Sequence, residues 1–308
     1  MPLTPTSHRQ TLARAMIYRC AAAASYVFGR DFAGRNLSVF PDDAFLVSYP
    51  RSGSTWFRFL VGNLISKDRS ISFHNVERVI PDIHVNSTRY IDSIPRPRVL
   101  KSHEYFDPRY KKVVYLVRDP RDVAVSYYHY YRKVKVLAEG YPMDRYVRTF
   151  LTGELQTWGS WGENVASWLS VRQNRDGFLL LRYEDLLDNP VQLLSKAAEF
   201  LGIPSTTDEL ARSVDLSSVE RMRELEKIQG DEWVTIKGSR KDVPFIGTAI
   251  SGRWRAELAH EAVIAIESAW GNLMTKLGYE LSTGLRVHEP PRAVGHRRKA
   301  LDSQLTAG

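Results

Sequence analysis

The sequence predicts one α/β domain with a mostly parallel central sheet flanked by helices. Short apolar runs typical of buried strands alternate with longer segments in which apolar residues recur at helical spacing. The strand candidates are DDAFLVSY (42–49), RPRVLKSH (96–103), KKVVYLVRD (111–119) and GFLLLRYEDL (177–186). This alternation favours parallel strands joined by crossover helices, and ligands of such sheets bind beyond the carboxyl ends of the strands.

Helical periodicity predicts the elements between and after these strands. One helix starts in the apolar run that follows the first strand, and another is closed by Gly202. The predicted segments are a helix from residue 54, PRDVAVSYYHYYRKV (120–134) with Pro120 in its first turn, 142–151, 158–173, NPVQLLSKAAEFLGI (189–203), 206–213, 217–227 and 259–277.

Length and composition favour one large domain. The chain has 308 residues, 43% of them hydrophobic, which is enough for a substantial core, and no linker divides it. We predict a domain over 36–285, preceded by a partly helical extension (1–35) and followed by a basic, flexible tail (286–308). The single cysteine, Cys20, excludes an intramolecular disulfide and fits a reducing, cytoplasmic location. The N-terminal apolar run is interrupted by Arg19, so no transmembrane segment is predicted.

The net charge does not indicate nucleic-acid binding. The formal charge is +8, but +4 comes from residues 1–35 and +3 from residues 286–308. The central region is therefore almost neutral. A neutral body with basic ends lacks the basic groove expected of a nucleic-acid-binding domain, and no nucleic-acid partner is predicted.

The turn YPRSGSTW (49–56) follows the first strand directly and precedes a helix. Pro50 ends the strand, Gly53 allows a backbone conformation that a side chain would forbid, and Ser54 or Thr55 can cap the helix. Backbone N–H groups at such a helix N-terminus attract phosphate. The Walker pattern GxxxxGK[ST] is absent, which weakens an ordinary ATPase or GTPase assignment.

Arg118 and Ser126 form a second candidate anion site. Arg118 ends a predicted strand, and Ser126 follows eight residues later, about two helical turns into the next segment. Both side chains can therefore face one anion across the bend. The alternative is that Arg118 simply pairs with Asp119 or Asp122.

Lys101 and His103 lie at the end of the predicted strand RPRVLKSH. Being two residues apart on an extended chain, they face the same side. A cation and an imidazole directed at one pocket suit a reaction in which negative charge develops while a proton leaves. A structural role for this histidine is the alternative.

Seven motifs together resemble those of the PAPS-dependent sulfotransferases, in the family's order and within residues 42–281. Any one of them is weak or moderate evidence, but their order makes the resemblance strong. The motifs are YPRSGSTW (phosphosulfate loop, usually PKSGTTW), LKSH (the Lys-Thr-His segment), VRDPRDVAVSYY (3′-phosphate motif), GELQTWGSWGENVASWL (Gly-Ser-Trp helix), LRYEDLLDNP (Tyr-Glu-Asp segment), LSSVERMRELE (Ser-Phe-x-x-Met stretch) and SGRWRAEL (late Gly-x-Trp-Lys segment).

The resemblance implies a P-loop-like nucleotide-binding topology and a role for each matching residue. PAPS would donate its sulfuryl group without a metal to a hydroxyl, or as a second choice an amine, of a small-molecule, lipid or glycan acceptor, releasing 3′,5′-ADP. His103 would be the general base, with Lys101 and Arg51 stabilising charge. The implied nucleotide contacts are Arg51, the amides of Ser52, Gly53, Ser54 and Thr55 with the Ser54 and Thr55 side chains, Trp56 on the adenine, Arg118 and Ser126 on the 3′-phosphate, Tyr183, Ser217 and Val219 around the adenine, and Gly252 and Arg253.

Three features depart from the family pattern. Arg51 replaces the usual lysine, and a guanidinium can stabilise charge but is a poor proton donor. The late Arg-Lys-Gly-x-x-Gly pattern is not reproduced, and no dimerisation motif is evident, so the oligomeric state stays open. The cations that could replace the late Arg-Lys pair are Arg240, Lys241, Arg253 and Arg255.

Two other functions compete with this interpretation. A nucleotide-dependent kinase would bind ATP and Mg²⁺ at the first loop, and a non-catalytic protein would keep the nucleotide fold to bind a partner. The missing Walker lysine and the arrangement at His103 argue against the kinase. The joint retention of the site residues argues against the non-catalytic protein; these are Arg51, Lys101, His103, Arg118 and Ser126. The acceptor is not predicted, although segments 73–96 and 126–136 are expected to line its pocket.

Overall fold

A computed structural model describes residues 32–155 and 157–284. Most of the predicted N-terminal extension, with Cys20, and the basic tail 286–308 lie outside the described residues. The predicted domain boundaries therefore stay predictions.

The sheet has four parallel strands where the sequence predicts them. The strands are β1 Ala44–Ser48, β2 Val99–Ser102, β3 Lys112–Val117 and β4 Phe178–Arg182. Their order across the sheet is β2-β1-β3-β4. The chain therefore passes from β1 to β2 on one side of it, and then crosses to β3 on the other side of β1. The predicted fold class is confirmed: a single α/β domain with a parallel sheet flanked by helices.

Strand β1 is buried on both faces of the sheet. Phe45 and Val47 belong to one hydrophobic core, which also contains Trp168, and Leu46 belongs to a second core with Leu60 on the opposite face. A strand covered on both sides has no polar face, which explains the continuous apolar run in the sequence. The two layers of helices hold the carboxyl ends of β1, β2 and β3 at one common edge.

Twelve α-helices lie among the described residues. The predicted helices are found within a few residues of their expected bounds, but Tyr183–Asp188 is helical where a loop is predicted after β4. The helices are α1 Ser54–Ile65, α2 Val76–Val79, α3 Thr88–Asp92, α4 Pro120–Lys133, α5 Met143–Thr152, α6 Trp161–Arg172, α7 Tyr183–Asp188, α8 Pro190–Leu201, α9 Thr207–Leu216, α10 Val219–Gln229, α11 Trp254–Glu257 and α12 His260–Lys276. Within the described ranges, none of the helices has the length and apolar character needed to cross a bilayer.

Local capping fixes where the two helices nearest the sheet edge begin. The carboxylate of Asp119 accepts a hydrogen bond from the Arg121 N–H, and Pro120 occupies the first position of α4, where its missing N–H costs nothing. Ser160 and Glu163 form a reciprocal capping box at the start of α6. These bonds fix the residues at which both helices begin.

Candidate active site

Gly53 sets the shape of the loop between β1 and α1. It has φ of +96° and is itself the residue that precedes the helix, so the prediction that Ser54 or Thr55 caps α1 is wrong. A Cβ atom at Gly53 would lie 2.4 Å from Cδ2 of Tyr183, which leaves no room for any other residue. Ser54 and Thr55 instead form the first turn of α1, where N–H groups have no acceptor within the helix.

This loop opens into a cavity that brings together ten of the thirteen predicted nucleotide-binding residues. The cavity is bounded by the first turns of α1 and α4, by α10 and by the segment 245–253. The predicted residues that line it are Arg51, Gly53, Ser54, Thr55, Trp56, Arg118, Ser126, Tyr183, Val219 and Arg253.

The other three predicted residues are not among those that line the cavity, and each has a bond that explains this. Ser52 is fully buried and its N–H donates to the Tyr49 carbonyl at 3.3 Å. The Ser217 carbonyl accepts the indole N–H of Trp56 at 3.0 Å. The Gly252 N–H donates to Asp122 Oδ2 at 2.6 Å. These residues support the wall of the cavity from behind.

Two aromatic rings form one side of the cavity. Trp56 and Tyr183 meet edge to face, with ring centroids 5.8 Å apart at an interplanar angle of 78°. The bond to Ser217 fixes the Trp56 ring, and the Tyr183 ring packs against Gly53. Fixed aromatic faces of this kind offer a stacking surface to a planar base.

Arg118 keeps donors available for an anion. Its Nη1 donates to the Arg51 carbonyl at 3.3 Å, while its Nη2 is 4.0 Å from Asp122. Asp119 pairs with Arg121 at 2.6 Å instead. Across the described ranges, the buried Nε of Arg118 finds no hydrogen-bond partner. The alternative, that Arg118 only pairs with Asp119 or Asp122, is therefore weakly supported.

The Arg51 side chain extends toward Ser126. Its Nε donates to Ser126 Oγ at 3.2 Å and its Nη2 donates to the Phe245 carbonyl at 3.2 Å. The guanidinium also lies over the rings of Tyr130 and Phe245, 5.0 and 4.6 Å from their centroids. Arg51 has φ of +68°, a conformation costly for a residue with a side chain and typical of functional loops.

Of the four candidate replacement cations, Arg253 is the one that lines the cavity. Its guanidinium donates to Glu257 Oε1 at 2.5 Å, and the other oxygen of Glu257 lies 2.5 Å from His129 Nε2. The carboxylate therefore holds Arg253 in place from α11.

The other three candidates are directed elsewhere. Arg240 pairs with Glu139 and Asp242, and Lys241 pairs with Asp231. The Arg255 guanidinium lies over the Trp254 ring, 4.4 Å from its centroid.

His103 follows β2 and its ring is oriented by β1. Its Nδ1 lies 2.7 Å from the Ser48 carbonyl, which can only accept, so Nδ1 carries the proton and Nε2 keeps its lone pair. Burial lowers the pKa of His103 well below its usual value, and the Lys101 ammonium adds to this effect. The imidazole is therefore a neutral base at physiological pH.

Two further residues, which the motifs did not reveal, adjoin His103 and Lys101. The His103 backbone N–H donates to His84 Nε2 at 2.9 Å, and the two imidazole rings are stacked, 5.8 Å apart. Asp82 Oδ2 lies 2.6 Å from Lys101 Nζ, and both side chains are buried. The only sequence signal was a pair of ionisable residues, Asp82 and His84, inside the otherwise apolar run IPDIHV (80–85).

The described parts of the chain contain no group of three or more His, Cys, Asp or Glu side chains arranged to hold a metal ion. The charges at the site include those of the arginines, Lys101, Asp82, Asp122 and Glu257, together with the partial charges of the amides that begin α1.

A family model described as a sulfotransferase domain matches residues 41–278. The chain belongs to the sulfotransferase family. Mouse (Mus musculus) sulfotransferase 1B1 is 30% identical over 231 residues, which cover 70% of this chain and 77% of that protein. The 3-beta-hydroxysteroid sulfotransferase of Cavia porcellus is 32% identical over 198 residues, or 60% of this chain and 67% of that protein. The predicted family and sulfotransferase enzyme class are therefore confirmed.

Solved structures show the same sulfotransferase fold. A mouse sulfotransferase complexed with PAP has a TM-score of 0.66 at 23% identity, over 80% of this chain and 89% of that chain. Retinol dehydratase in complex with retinol and PAP has a TM-score of 0.65 at 21% identity, over 83% and 86% of the two chains. At these identities the likeness establishes the arrangement of the sheet and helices.

Proposed function

We propose that this sulfotransferase transfers the sulfuryl group of PAPS to a hydroxyl group of a small-molecule acceptor and releases 3′,5′-ADP. The observation that carries the proposal is the cavity itself. It combines a helix N-terminus, two ordered aromatic rings, the hydroxyl of Ser126 and three arginines, which are Arg51, Arg118 and Arg253. A nucleotide with phosphate groups at both ends of its ribose requires this combination.

The residues present fit such a nucleotide. The N–H groups at the start of α1 donate hydrogen bonds to the 5′-phosphosulfate, and Trp56 and Tyr183 hold the adenine. Arg118, Ser126 and Arg253 bind the 3′-phosphate. The unpartnered buried Nε of Arg118 supports this assignment, because a donor without a protein acceptor is costly unless a ligand supplies one.

His103 removes the proton of the acceptor. Its Nε2 takes the hydroxyl hydrogen, the acceptor oxygen bonds to sulfur, and the bond between sulfur and the bridging phosphate oxygen breaks with its electron pair remaining on 3′,5′-ADP. Lys101 and Arg51 stabilise the charge that develops on the sulfuryl and bridging oxygens. The hydrogen bond from Nδ1 to the Ser48 carbonyl stabilises the imidazolium that forms.

A hydroxyl acceptor is favoured because a neutral imidazole suits an alcohol or phenol, which must lose a proton. The name of the Cavia porcellus relative, a 3-beta-hydroxysteroid sulfotransferase, supports the same choice. Lipid or glycan hydroxyls remain alternative acceptors, and an amine is the less favoured nucleophile. A cytoplasmic location belongs to this proposal and rests on the single cysteine of the chain.

Nucleotide binding provides the direct test. We expect 3′,5′-ADP to raise the melting temperature markedly and 5′-AMP to do little, because 5′-AMP lacks the phosphate assigned to Arg118 and Ser126. At about a hundred times the dissociation constant the stabilisation is about 2.7 kcal/mol. Differential scanning fluorimetry with 3′,5′-ADP, 5′-AMP and ATP-Mg²⁺ gives the comparison. Arg118→Ala weakens 3′,5′-ADP binding far more than 5′-AMP binding.

Two outcomes contradict these assignments. Equal stabilisation by 5′-AMP and 3′,5′-ADP removes the 3′-phosphate site. Stronger stabilisation by ATP-Mg²⁺ than by 3′,5′-ADP favours the rival kinase function.

Arg253 is expected to supply the third contact to the 3′-phosphate. Arg253→Ala should weaken 3′,5′-ADP binding roughly tenfold or more, because one charge-assisted hydrogen bond contributes about 1.5–3 kcal/mol. Lys241→Ala is the matched control, since it removes one positive charge that is 80% exposed and paired with Asp231. Isothermal titration with 3′,5′-ADP measures both variants. Equal affinity losses would mean that overall charge, and not Arg253 itself, is responsible.

A further inference from the structure

Asp82 is the closest acidic partner of Lys101. Its Oδ2 lies 2.6 Å from Lys101 Nζ, and the two side chains are almost completely buried. Neither the motifs nor the family model assigns Asp82 a role. A buried carboxylate costs free energy unless it is paired, so its place beside a candidate catalytic cation calls for an explanation.

The backbone fixes Asp82 opposite Lys101. The Lys101 N–H donates to the Pro81 carbonyl at 2.9 Å, and the Ile83 N–H donates to the Lys101 carbonyl at 3.1 Å. The segment 81–83 thus forms a short parallel bridge to the edge of the sheet at β2. The carboxylate is oriented as well, because Asp82 Oδ1 accepts the His84 N–H at 2.9 Å. Both partners of the ion pair are therefore held in place before any ligand binds.

The other charged groups near Lys101 do not provide a second free partner. Glu77 on α2 lies 2.9 Å from Arg58 on α1, which occupies its carboxylate and adds a positive charge to the surroundings. His84 and His103 are neutral: burial lowers the pKa of His84 to about 4 and that of His103 well below its usual value. Tyr130 on α4 feels the charge of Asp82, and burial raises the pKa of its phenol, so it too is uncharged at neutral pH.

Burial and the Asp82 carboxylate act on the pKa of Lys101 in opposite directions. Burial lowers the pKa of Lys101 below its usual value, and Asp82 is the group that acts most strongly against this. Burial alone would raise the pKa of Asp82, yet the Lys101 ammonium holds it well below its usual range. Asp82 therefore stays ionised throughout the physiological range.

We propose that Asp82 is a positioning residue for Lys101: it keeps the buried ammonium protonated and directs its two remaining N–H bonds toward the transferred sulfuryl group. The proposal rests on the function proposed above, in which Lys101 stabilises charge on that group. An ammonium has three donors in a tetrahedral arrangement, so one bond to a fixed carboxylate determines the directions open to the other two. Such preorganisation lowers the barrier without rearrangement during the reaction.

Asp82→Asn is the direct test, because the amide is isosteric and its oxygen can still accept the His84 N–H. We expect turnover at neutral pH to fall on the order of 10²-fold, the loss typical of a misdirected catalytic group. Without the opposing negative charge the Lys101 pKa falls further, so activity is lost at lower pH: the alkaline limb of the kcat profile moves down by about 1–3 pH units. The melting shift given by 3′,5′-ADP should stay unchanged.

A second substitution separates lost charge from lost structure. Asp82→Asn combined with Lys101→Arg should abolish the displaced alkaline limb, because arginine remains protonated. Asp82→Glu should restore part of the turnover. Asp43→Asn is the matched control: it breaks the buried pair of Asp43 with Arg98, also 2.6 Å, at the other end of β1, and should leave the pH profile in place.

The possible outcomes distinguish this proposal from the proposed function. If Asp82→Asn lowers turnover but its alkaline limb coincides with that of the wild type, Asp82 has only a structural role and the proposal is overturned. If Lys101→Ala alone keeps wild-type turnover, the assigned role of Lys101 is wrong and the inference about Asp82 fails with it. If 3′,5′-ADP does not stabilise the unsubstituted protein, the proposed donor is wrong, independently of any result for Asp82.

Discussion

His103→Ala is expected to leave 3′,5′-ADP affinity nearly unchanged and to reduce turnover by roughly 10²- to 10⁴-fold, the contribution typical of a general base. The structure explains this separation, because His103 is not among the residues that line the nucleotide cavity and is instead held by β1 through the Ser48 carbonyl. Measuring sulfuryl transfer to a series of phenols provides a further check. Acidic phenols are already ionised at the assay pH and need the base less, so their loss should be smaller.

The pH dependence of the wild-type enzyme follows from the same ring. His103 must be neutral to accept a proton, and burial lowers its pKa well below the usual value. Turnover should therefore persist below pH 6.5 and fall only as the pH drops through this lowered pKa. His74→Ala is the control and should leave this pH profile unchanged, since His74 is half exposed and its ring nitrogen pairs with Glu232. In the substitution experiment, near-normal turnover of His103→Ala would refute the catalytic role of His103.

The sheet could be predicted from the sequence because its four strands are short, apolar and separated by long amphipathic segments. Burial of β1 on both faces accounts for the apolar residues AFLV at the start of this strand. The helix Tyr183–Asp188 could not be predicted in the same way. It begins in the residue that follows β4, so the strand pattern and the helix pattern merge in the sequence.

The nucleotide cavity was predictable to the extent that its residues belong to local motifs. Arg118 and Ser126 are eight residues apart on one bend, and both line the cavity. Ser217 is not among the residues that line the cavity, and its place around the adenine stays a prediction, because a motif does not give the direction in which a group points. Its carbonyl is directed to the Trp56 indole.

Contacts between distant segments account for what the sequence did not reveal. Asp82 contacts Lys101, which lies 19 positions later in the sequence. The sequence did not distinguish Arg253 from the three other candidate cations; in the fold, Glu257 holds it at the cavity. Arg240 and Lys241 are occupied by acidic neighbours that only the folded chain brings near. Ion pairing of this kind depends on three-dimensional position, which periodicity and spacing do not encode.

Arg51 is expected to be the second residue whose loss nearly abolishes turnover. Arg51→Met keeps the length and much of the packing between the Tyr130 and Phe245 rings but removes the charge. We expect the single-turnover rate to fall by roughly 10²- to 10³-fold, the loss caused by removing one group that stabilises developing negative charge. Arg51→Lys retains the charge but not the planar fork that bonds Ser126 Oγ and the Phe245 carbonyl. It should therefore be partly active.

The three side chains can be compared fairly because the backbone strain is common to them. Arg51 has φ of +68°, and lysine and methionine meet the same steric cost there as arginine, whereas glycine would relieve it and alter the loop. Differences among Arg, Lys and Met at this position thus report on charge and hydrogen bonding. A wild-type single-turnover rate for Arg51→Met would mean that the amides at the start of α1 hold the phosphosulfate alone, and Arg51 would have no catalytic part.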